Sequence, residues 1–339
     1  MVIKEAIAIA ASRTNLSYEM TEAVMDEIMR GQASDIQMAA YLTAMAVKGE
    51  TIDEITASAA GMRKHCTRLL HEHDALEIVG TGGDHAGSFN ISTTAAIVVS
   101  ATGIPVAKHG NRAATSLSGA ADVLDALGVD INLSPERSVE LLDAIGICFL
   151  FAQNYHIAMK YVAPVRSELG IRTIFNILGP LVNPAGANLE LLGVFDQDLV
   201  EPMAKVLANL GVRSAMVVFG QDGLDEVSLS SATSVCELRS GFIRSYEITP
   251  EQFGFKRCDK NELVGGSPEV NAAITRAVLS GQKGAPRDAV LLNSAAAIYV
   301  ARPEVSMEDA VEIAREAIDS GRAMQQLERF VAFSQGGVI

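Results

Sequence analysis

The stretch Leu76-Glu77-Ile78-Val79-Gly80-Thr81-Gly82-Gly83-Asp84 decides the fold. A short β-favouring run ends in three glycines and an acid, as when a strand hands its chain to a tight loop with an open backbone. With no Cβ in the way, main-chain N–H groups in such a loop can approach a bound anion, although the same glycines would also serve a purely structural turn. The spacing excludes two familiar phosphate loops. After Gly80-x-Gly82, His85 stands where a dinucleotide fingerprint needs its last glycine, and no Gly-Lys-Ser/Thr closes the loop as a Walker A motif requires.

That run, at Ala75 to Val79, is the first of five of the same kind, the others lying at Ile104 to Lys108, Ile147 to Ala152, Leu189 to Phe195 and Ser214 to Phe219. Between them come helical patterns at 91–102, 118–127, 135–145 and 198–210, the third opened by Ser134 and Pro135. Strands separated by helices predict an α/β fold with a mainly parallel sheet flanked by helices. Glu226 to Ser231, Ser234 to Leu238 and Phe242 to Glu247 read as antiparallel strands, and helices follow from Pro268, Arg287, Met307 and Arg322.

Upstream of residue 74 the pattern is different. Two capping boxes, Ser34 to Gln37 and Thr51 to Glu54, each open an apolar helical repeat, and Gly31 and Gly49 stand where helices end. Residues 1–73 therefore predict a smaller all-helical N-terminal domain, with an α/β domain over 74–339. Its apolar faces suit an ordinary core or a face given to a second subunit.

Composition narrows the partners. The chain has 339 residues, enough for about two domains, and 49% are apolar. Its 27 Lys+Arg against 41 Asp+Glu give a net charge of −14, which repels nucleic acid and anionic membranes unless a local basic patch overrides it, and 17 aromatic residues with no Trp leave few stacking platforms. Small-molecule partners are expected, without nucleic acid or membrane. The four cysteines form no C-x-x-C pair, and no apolar run is long enough for a signal peptide or membrane span, so a cytoplasmic location is expected.

Four more segments carry chemistry. Asn90 in Ser88-Phe89-Asn90-Ile91-Ser92-Thr93 reads as the N-cap of an apolar helix whose first N–H groups favour phosphate. Lys108-His109-Gly110-Asn111-Arg112 puts basic groups at the carboxyl end of the second strand, where ligands of open α/β sheets bind, and Ser116 to Ala120 opens a helix that offers further donors. Asp225 and Glu226 sit in a loop between strands, suited either to Mg²⁺ or to a solvated acidic turn. Arg166 suits a planar carboxylate or an ion pair with Glu168.

Taken in order, Gly80 to Asp84, Asn90 to Thr93, Lys108 to Arg112, Arg166 to Pro184 and Asp222 to Glu226 resemble the anthranilate phosphoribosyltransferase family over nearly the whole chain. Gln153, Ile157, Ala113, Ala114 and Phe219 depart from its usual pattern. The resemblance implies a nucleoside phosphorylase II type of architecture, with a helical domain completed by part of residues 160–187, and a homodimer formed through that domain. It implies transfer of the phosphoribosyl group of phosphoribosyl pyrophosphate (PRPP) to the amine of anthranilate, with Mg²⁺ as cofactor. Carried over by position, Gly80, Gly83, Asp84, Ser88, Asn90, Ile91, Ser92, Thr93, Lys108, Ser116 and Ala120 would hold PRPP. Gly80, Asn111 and Arg166 would meet anthranilate, and Ser92, Asp225 and Glu226 would hold the metal. Lys108 and His109 would carry the catalytic roles, with no covalent nucleophile. A pyrimidine-nucleoside phosphorylase lacks this basic motif, and a nucleic-acid-binding relative would be basic, with eroded motifs.

Overall fold

A computed structural model of the chain describes residues 1–113 and 117–337. Helices α1 (Ile3–Ala11), α2 (Tyr18–Met29), α3 (Asp35–Lys48) and α4 (Ile52–Lys64) come first. Both expected capping boxes form, Ser34 with Gln37 at the start of α3 and Thr51 with Glu54 at the start of α4. The core these helices share runs on through Val162, Val165, Phe175 and Leu178 to Leu192 and Val217 of the sheet, so the helical unit is packed onto one face of it.

From there strands and helices alternate: β1 (Leu76–Gly80), α5 (Ile91–Ser100), β2 (Val106–Gly110), α6 (Ala120–Leu127), α7 (Pro135–Ile145), β3 (Ile147–Phe151), α8 (Ala152–Tyr155), α9 (Ala163–Leu169), α10 (Phe175–Leu181), β4 (Leu189–Gly193), α11 (Val200–Asn209) and β5 (Ser214–Gly220). An antiparallel ribbon, β6 (Thr233–Arg239) and β7 (Phe242–Ile248), leads to α12 (Pro268–Leu279), α13 (Ala285–Ala301), α14 (Met307–Asp319) and α15 (Arg322–Ser334). The sheet order is β3-β2-β1-β4-β5-β6-β7. Strands β1 to β5 are parallel, and β6 and β7 antiparallel. The order reverses at β1 and β4, the kind of crevice where ligands of open α/β sheets bind.

Two local differences from the sequence reading stand out. Residues 226–231 alternate like a strand but do not form one. Side chains supply the bonds a ladder would have made: Asn293 accepts from Val227 N at 2.9 Å and donates to its carbonyl at 2.9 Å, and Thr233 Oγ1 accepts from Ser228 N at 2.9 Å. The parallel pairing is also uneven. β1–β4, β2–β3 and β4–β5 each share five register pairs, whereas β1 and β2 share only Leu76 with Val106.

Candidate active site

The glycine loop is shaped by what lies against it. A Cβ at Gly80 would fall 2.8 Å from Asp225 Cγ, and one at Gly193 would run into the Asp225 main chain, so two strands have given up side chains to admit this acid. Gly82 and Gly83 take positive φ of 68° and 74°, which glycine adopts freely. Asp225 Oδ2 accepts from Gly82 N at 2.7 Å, and Glu226 Oε1 accepts from Ser92 N at 3.0 Å. The loop, the start of α5 and the acidic pair are thus brought together across more than 130 residues of chain. Lys108, only 3% exposed, enters from β2 and donates to Ile78 O at 2.5 Å, with Ser92 Oγ at 3.5 Å.

The electrostatics are those of a site short of positive charge. Burial, with Asp84 alongside, pushes Asp225 up to about 7, and burial with the neighbouring Asp225 pushes Glu226 up to about 8. Asp84 Oδ2 is buried without a hydrogen-bond partner. Lys108 is held below its ordinary range by burial, against the pull of Glu77, Glu226 and Asp225. Among the described residues no three His, Cys, Asp or Glu side chains form a metal cage. Mg²⁺ does not need one. One or two carboxylates suffice, with waters and substrate phosphates completing its shell, and the hard oxygens of Asp225, Glu226 and Ser92 fit that donor set.

Asn90 precedes α5, but its side chain makes no capping bond. It donates instead to Ser118 O at 3.2 Å, and its own carbonyl accepts from Asn271 Nδ2 at 2.9 Å and from Ser118 Oγ at 3.2 Å. This network ties α5 to the turn before α6 and to α12, which local sequence cannot reveal. Ile91 and Thr93 are buried in α5, so they face a ligand through the main chain. Ser88 forms a bridge with Val264 beside the loop, and Ala120 is the first residue of α6. Ser116 lies outside the described residues.

The basic pentapeptide is less cationic than its composition suggests. Burial and the neighbouring His156 hold His109 down at about 3. Burial holds His156 at about 4. The two rings sit 5.1 Å apart, each with an unpartnered buried Nε2. Arg112 is taken up by Asp122 at 2.8 Å and Asp125 at 3.2 Å, which corrects the picture of several free cations and leaves Lys108 as the pentapeptide's charge in the crevice. Asn111, exposed, turns its Oδ1 to Arg112 N at 2.9 Å.

Arg166 lies on α9, part-buried, with its guanidinium 5.3 Å from the Phe175 ring centre. Among the described residues it forms no ion pair, and Glu168 is not its partner. No bond joins it to the glycine loop. Arg172 makes that connection, donating to Gly83 O at 2.6 Å while stacked on Phe195 with its guanidinium 3.9 Å from the ring centre.

Sequence reasoning passed over Glu77 and Asn183. Glu77, fully buried in β1, accepts from His109 N at 2.9 Å and from Asn183 Nδ2, and burial lifts its carboxyl to about 7 against the pull of Lys108. Its signal was available: a carboxylate inside an otherwise apolar strand requires buried donors.

A helical bundle is joined here to an α/β sheet, with buried acids, a buried lysine and an open glycine loop at the crevice, and this pair of domains is that of the glycosyl transferase family. Residues 4–66 match the model described as the glycosyl transferase family, helical bundle domain, and residues 72–324 the one described as the glycosyl transferase family, a/b domain. A relative from Lachnoclostridium phytofermentans named anthranilate phosphoribosyltransferase is 62% identical over 98% of this chain and 99% of its own. The crystal structure of anthranilate phosphoribosyltransferase from Thermus thermophilus superposes with a TM-score of 0.92 at 45% identity, covering 98% of this chain and 99% of that one. The Saccharomyces cerevisiae enzyme in complex with PRPP and Mg gives 0.90 at 29% identity, covering 98% of each chain. The chain belongs to the anthranilate phosphoribosyltransferase family.

Proposed function

We propose that the chain transfers the phosphoribosyl group of PRPP to the amine of anthranilate, releasing pyrophosphate and N-(5-phosphoribosyl)anthranilate, a step of tryptophan biosynthesis. The observation that carries this reading is the convergence of Gly82, Ser92, Lys108, Asp225 and Glu226 on one crevice. As the C1–oxygen bond to pyrophosphate breaks, negative charge gathers on the leaving group and the ribose becomes oxocarbenium-like. The Lys108 ammonium and main-chain N–H groups of the glycine loop would meet that charge. Bound at Asp225, Glu226 and Ser92, Mg²⁺ would neutralise phosphate charge.

The neutral aromatic amine is already a nucleophile, so its orientation matters more than removal of its proton. A His109 held at about 3 is a weak base, in keeping with a positioning role beside Asn111. Gly80, Gly83, Asp84, Ser88, Asn90, Ile91, Ser92, Thr93, Ser116 and Ala120 belong to the PRPP side of this reading. Gly80, Asn111 and Arg166 belong to the anthranilate side. The reading also divides the chain at residue 73, with part of 160–187 completing the helical domain.

A homodimer through the helical domain belongs to the same proposal. An open groove lined by Ile7, Ala10, Ala39, Ala44 and Val47 between α1 and α3 supports it, together with Ile36, which is 82% exposed on α3. Light scattering on the purified chain tests the dimer. Among the described residues no helix is long and apolar enough to cross a membrane. Loss of anthranilate fluorescence, followed with and without PRPP and Mg²⁺, tests the activity. Turnover that needs all three supports the proposal, and none in their presence overturns it.

A further inference from the structure

The sheet is split where the chemistry is. After the single pair Leu76 with Val106, β1 and β2 part, although both continue as strands to Gly80 and Gly110. A split ladder leaves main-chain groups without partners inside a protein, where each unmet donor or acceptor is costly. Here side chains meet them. Glu77 reaches across, and both of its carboxylate oxygens accept from His109 N, at 3.2 and 2.9 Å. The Lys108 ammonium reaches back to Ile78 O at 2.5 Å. Asn183 Nδ2 donates to Ala107 O at 2.8 Å and to Glu77, while its Oδ1 accepts from Ala185 N at 2.8 Å. Glu77 and Asn183 are nearly or fully buried, so nothing in solvent can replace these bonds.

We propose that Glu77 is a positioning residue of the transfer reaction: with Asn183 it wedges β1 and β2 apart and so sets where the β2 end carrying Lys108, His109 and Asn111 stands relative to the glycine loop. The proposal rests on the function given above, but the wedge itself makes a claim that holds without substrate. The ionised carboxylate, the form Glu77 takes above pH 7, is suited to the task because it only accepts, and the wedge faces donors: the N–H of His109, the N–H of Ile78 at 3.1 Å and the amide of Asn183. Glutamine has nearly the same shape but turns an NH₂ toward one of these donors. Aspartate keeps the charge and is one methylene too short.

Glu77→Gln and Glu77→Asp test this by steady-state kinetics with PRPP, anthranilate and Mg²⁺, by melting temperature, and by amide hydrogen exchange of the substrate-free chain. In a folded Glu77→Gln enzyme kcat is expected to fall by about 10-fold or more, the loss of one well-made buried bond to a charged group. The Mg²⁺ concentration for half-activity should stay within about twofold, since the metal carboxylates are untouched. Exchange should rise in peptides covering 106–111 and stay unchanged in peptides of β5 and β6. Glu77→Asp is expected to lie between the two in rate, and it carries the same comparisons if the glutamine variant does not fold.

Wild-type kcat in a folded glutamine variant overturns the proposal. So does a fall in rate that only follows the lost folded fraction, with exchange at 106–111 unmoved. If the wild-type enzyme does not consume anthranilate, the function falls rather than the wedge. The exchange comparison then decides the wedge alone, and unchanged exchange at 106–111 overturns it.

Discussion

The two ends of the sheet solve opposite problems. From β5 through β6 to β7 the ladder is complete, with seven register pairs on each side of β6. Between β1 and β2 there is one, and charged side chains stand in for the rest. The antiparallel end extends the sheet and satisfies its backbone. The β1–β2 junction, inside the parallel half, gives up backbone pairing for room, and uses a glutamate, an asparagine and a lysine to keep the interior satisfied. The candidate site lies where the regular structure stops short.

Neutralising the acids should sharpen that contrast most. Asp225→Asn with Glu226→Gln is expected to lower kcat by about a thousandfold and abolish the ordinary Mg²⁺ titration, since a bound metal supplies several kcal/mol. The same variant should melt higher than the wild-type chain at pH 8.5 without metal. Both carboxyls are raised in the fold, to about 7 and about 8, so the stability they carry is present below the unfolded carboxylate range and is lost as pH rises through those values. Neutral amides do not suffer that loss. An unchanged Mg²⁺ titration, or no gain in melting temperature at high pH, would break the comparison.

Lys108→Met comes next, with kcat/KM for PRPP expected to fall about 100- to 1,000-fold, the usual range for one charge-stabilising donor. Circular dichroism should show the fold intact, and a loss under 10-fold would remove Lys108 from the charge-stabilising role. Arg166→Ala is smaller: the KM for anthranilate should rise about 10- to 150-fold and that for PRPP much less, as when a charged hydrogen-bonding partner is lost. Lysine should recover little of it. A collapse of PRPP affinity instead would make Arg166 a phosphate ligand.

Smaller still is a pH effect. His156 is held at about 4 in the fold against about 6.5 in a free chain, so as pH falls below 6.5 the unfolded state takes up its proton first. The stability tied to the neutral ring is present above 6.5 and is lost on the way to 4. The melting-temperature gap between wild type and His156→Asn should therefore narrow between pH 7.5 and pH 4.5, and a widening gap would show that the ring is charged in the fold. Last, Phe242→Ser on the exposed edge strand β7, where the side chain is 79% exposed, should leave kcat unchanged and shift stability by no more than about 0.5 kcal/mol.

What the sequence made legible follows the reach of each interaction. The boxes at Ser34 and Thr51 close within three residues, and both were readable. Gly80 to Asp84 and the basic run at Lys108 stood out as local clusters of unusual composition, whereas the acidic pair read from local sequence as a solvated turn as much as a metal site, because its burial against Gly82 and Ser92 is set by residues far away in the chain. The roles of Asn90 and Arg112 were not. Asn90 answers to Ser118 and Asn271, and Arg112 to Asp122 and Asp125, partners set by how helices and turns settle against the sheet. Glu77 was hidden for a similar reason: its task arises from a missing register between two strands. The alternation at 226–231 misled because Asn293 and Thr233 offer that backbone the bonds that a neighbouring strand would have given.

The bonds that close the crevice also govern when it can exist during synthesis. Gly82 N meets Asp225 across 143 residues, and Ser92 N meets Glu226 across 134. Contacts at that separation cost loop-closure entropy before they stabilise anything, and so form late. A nascent chain that has emerged only as far as β4 already has its glycine loop and its lysine, but neither Asp225 nor Glu226 to brace them. Until β5 and the loop behind it leave the ribosome, the first half of the sheet carries an unbraced crevice, and the bonds that hold Asn90 and Val227 wait longer still, for Asn271 of α12 and Asn293 of α13.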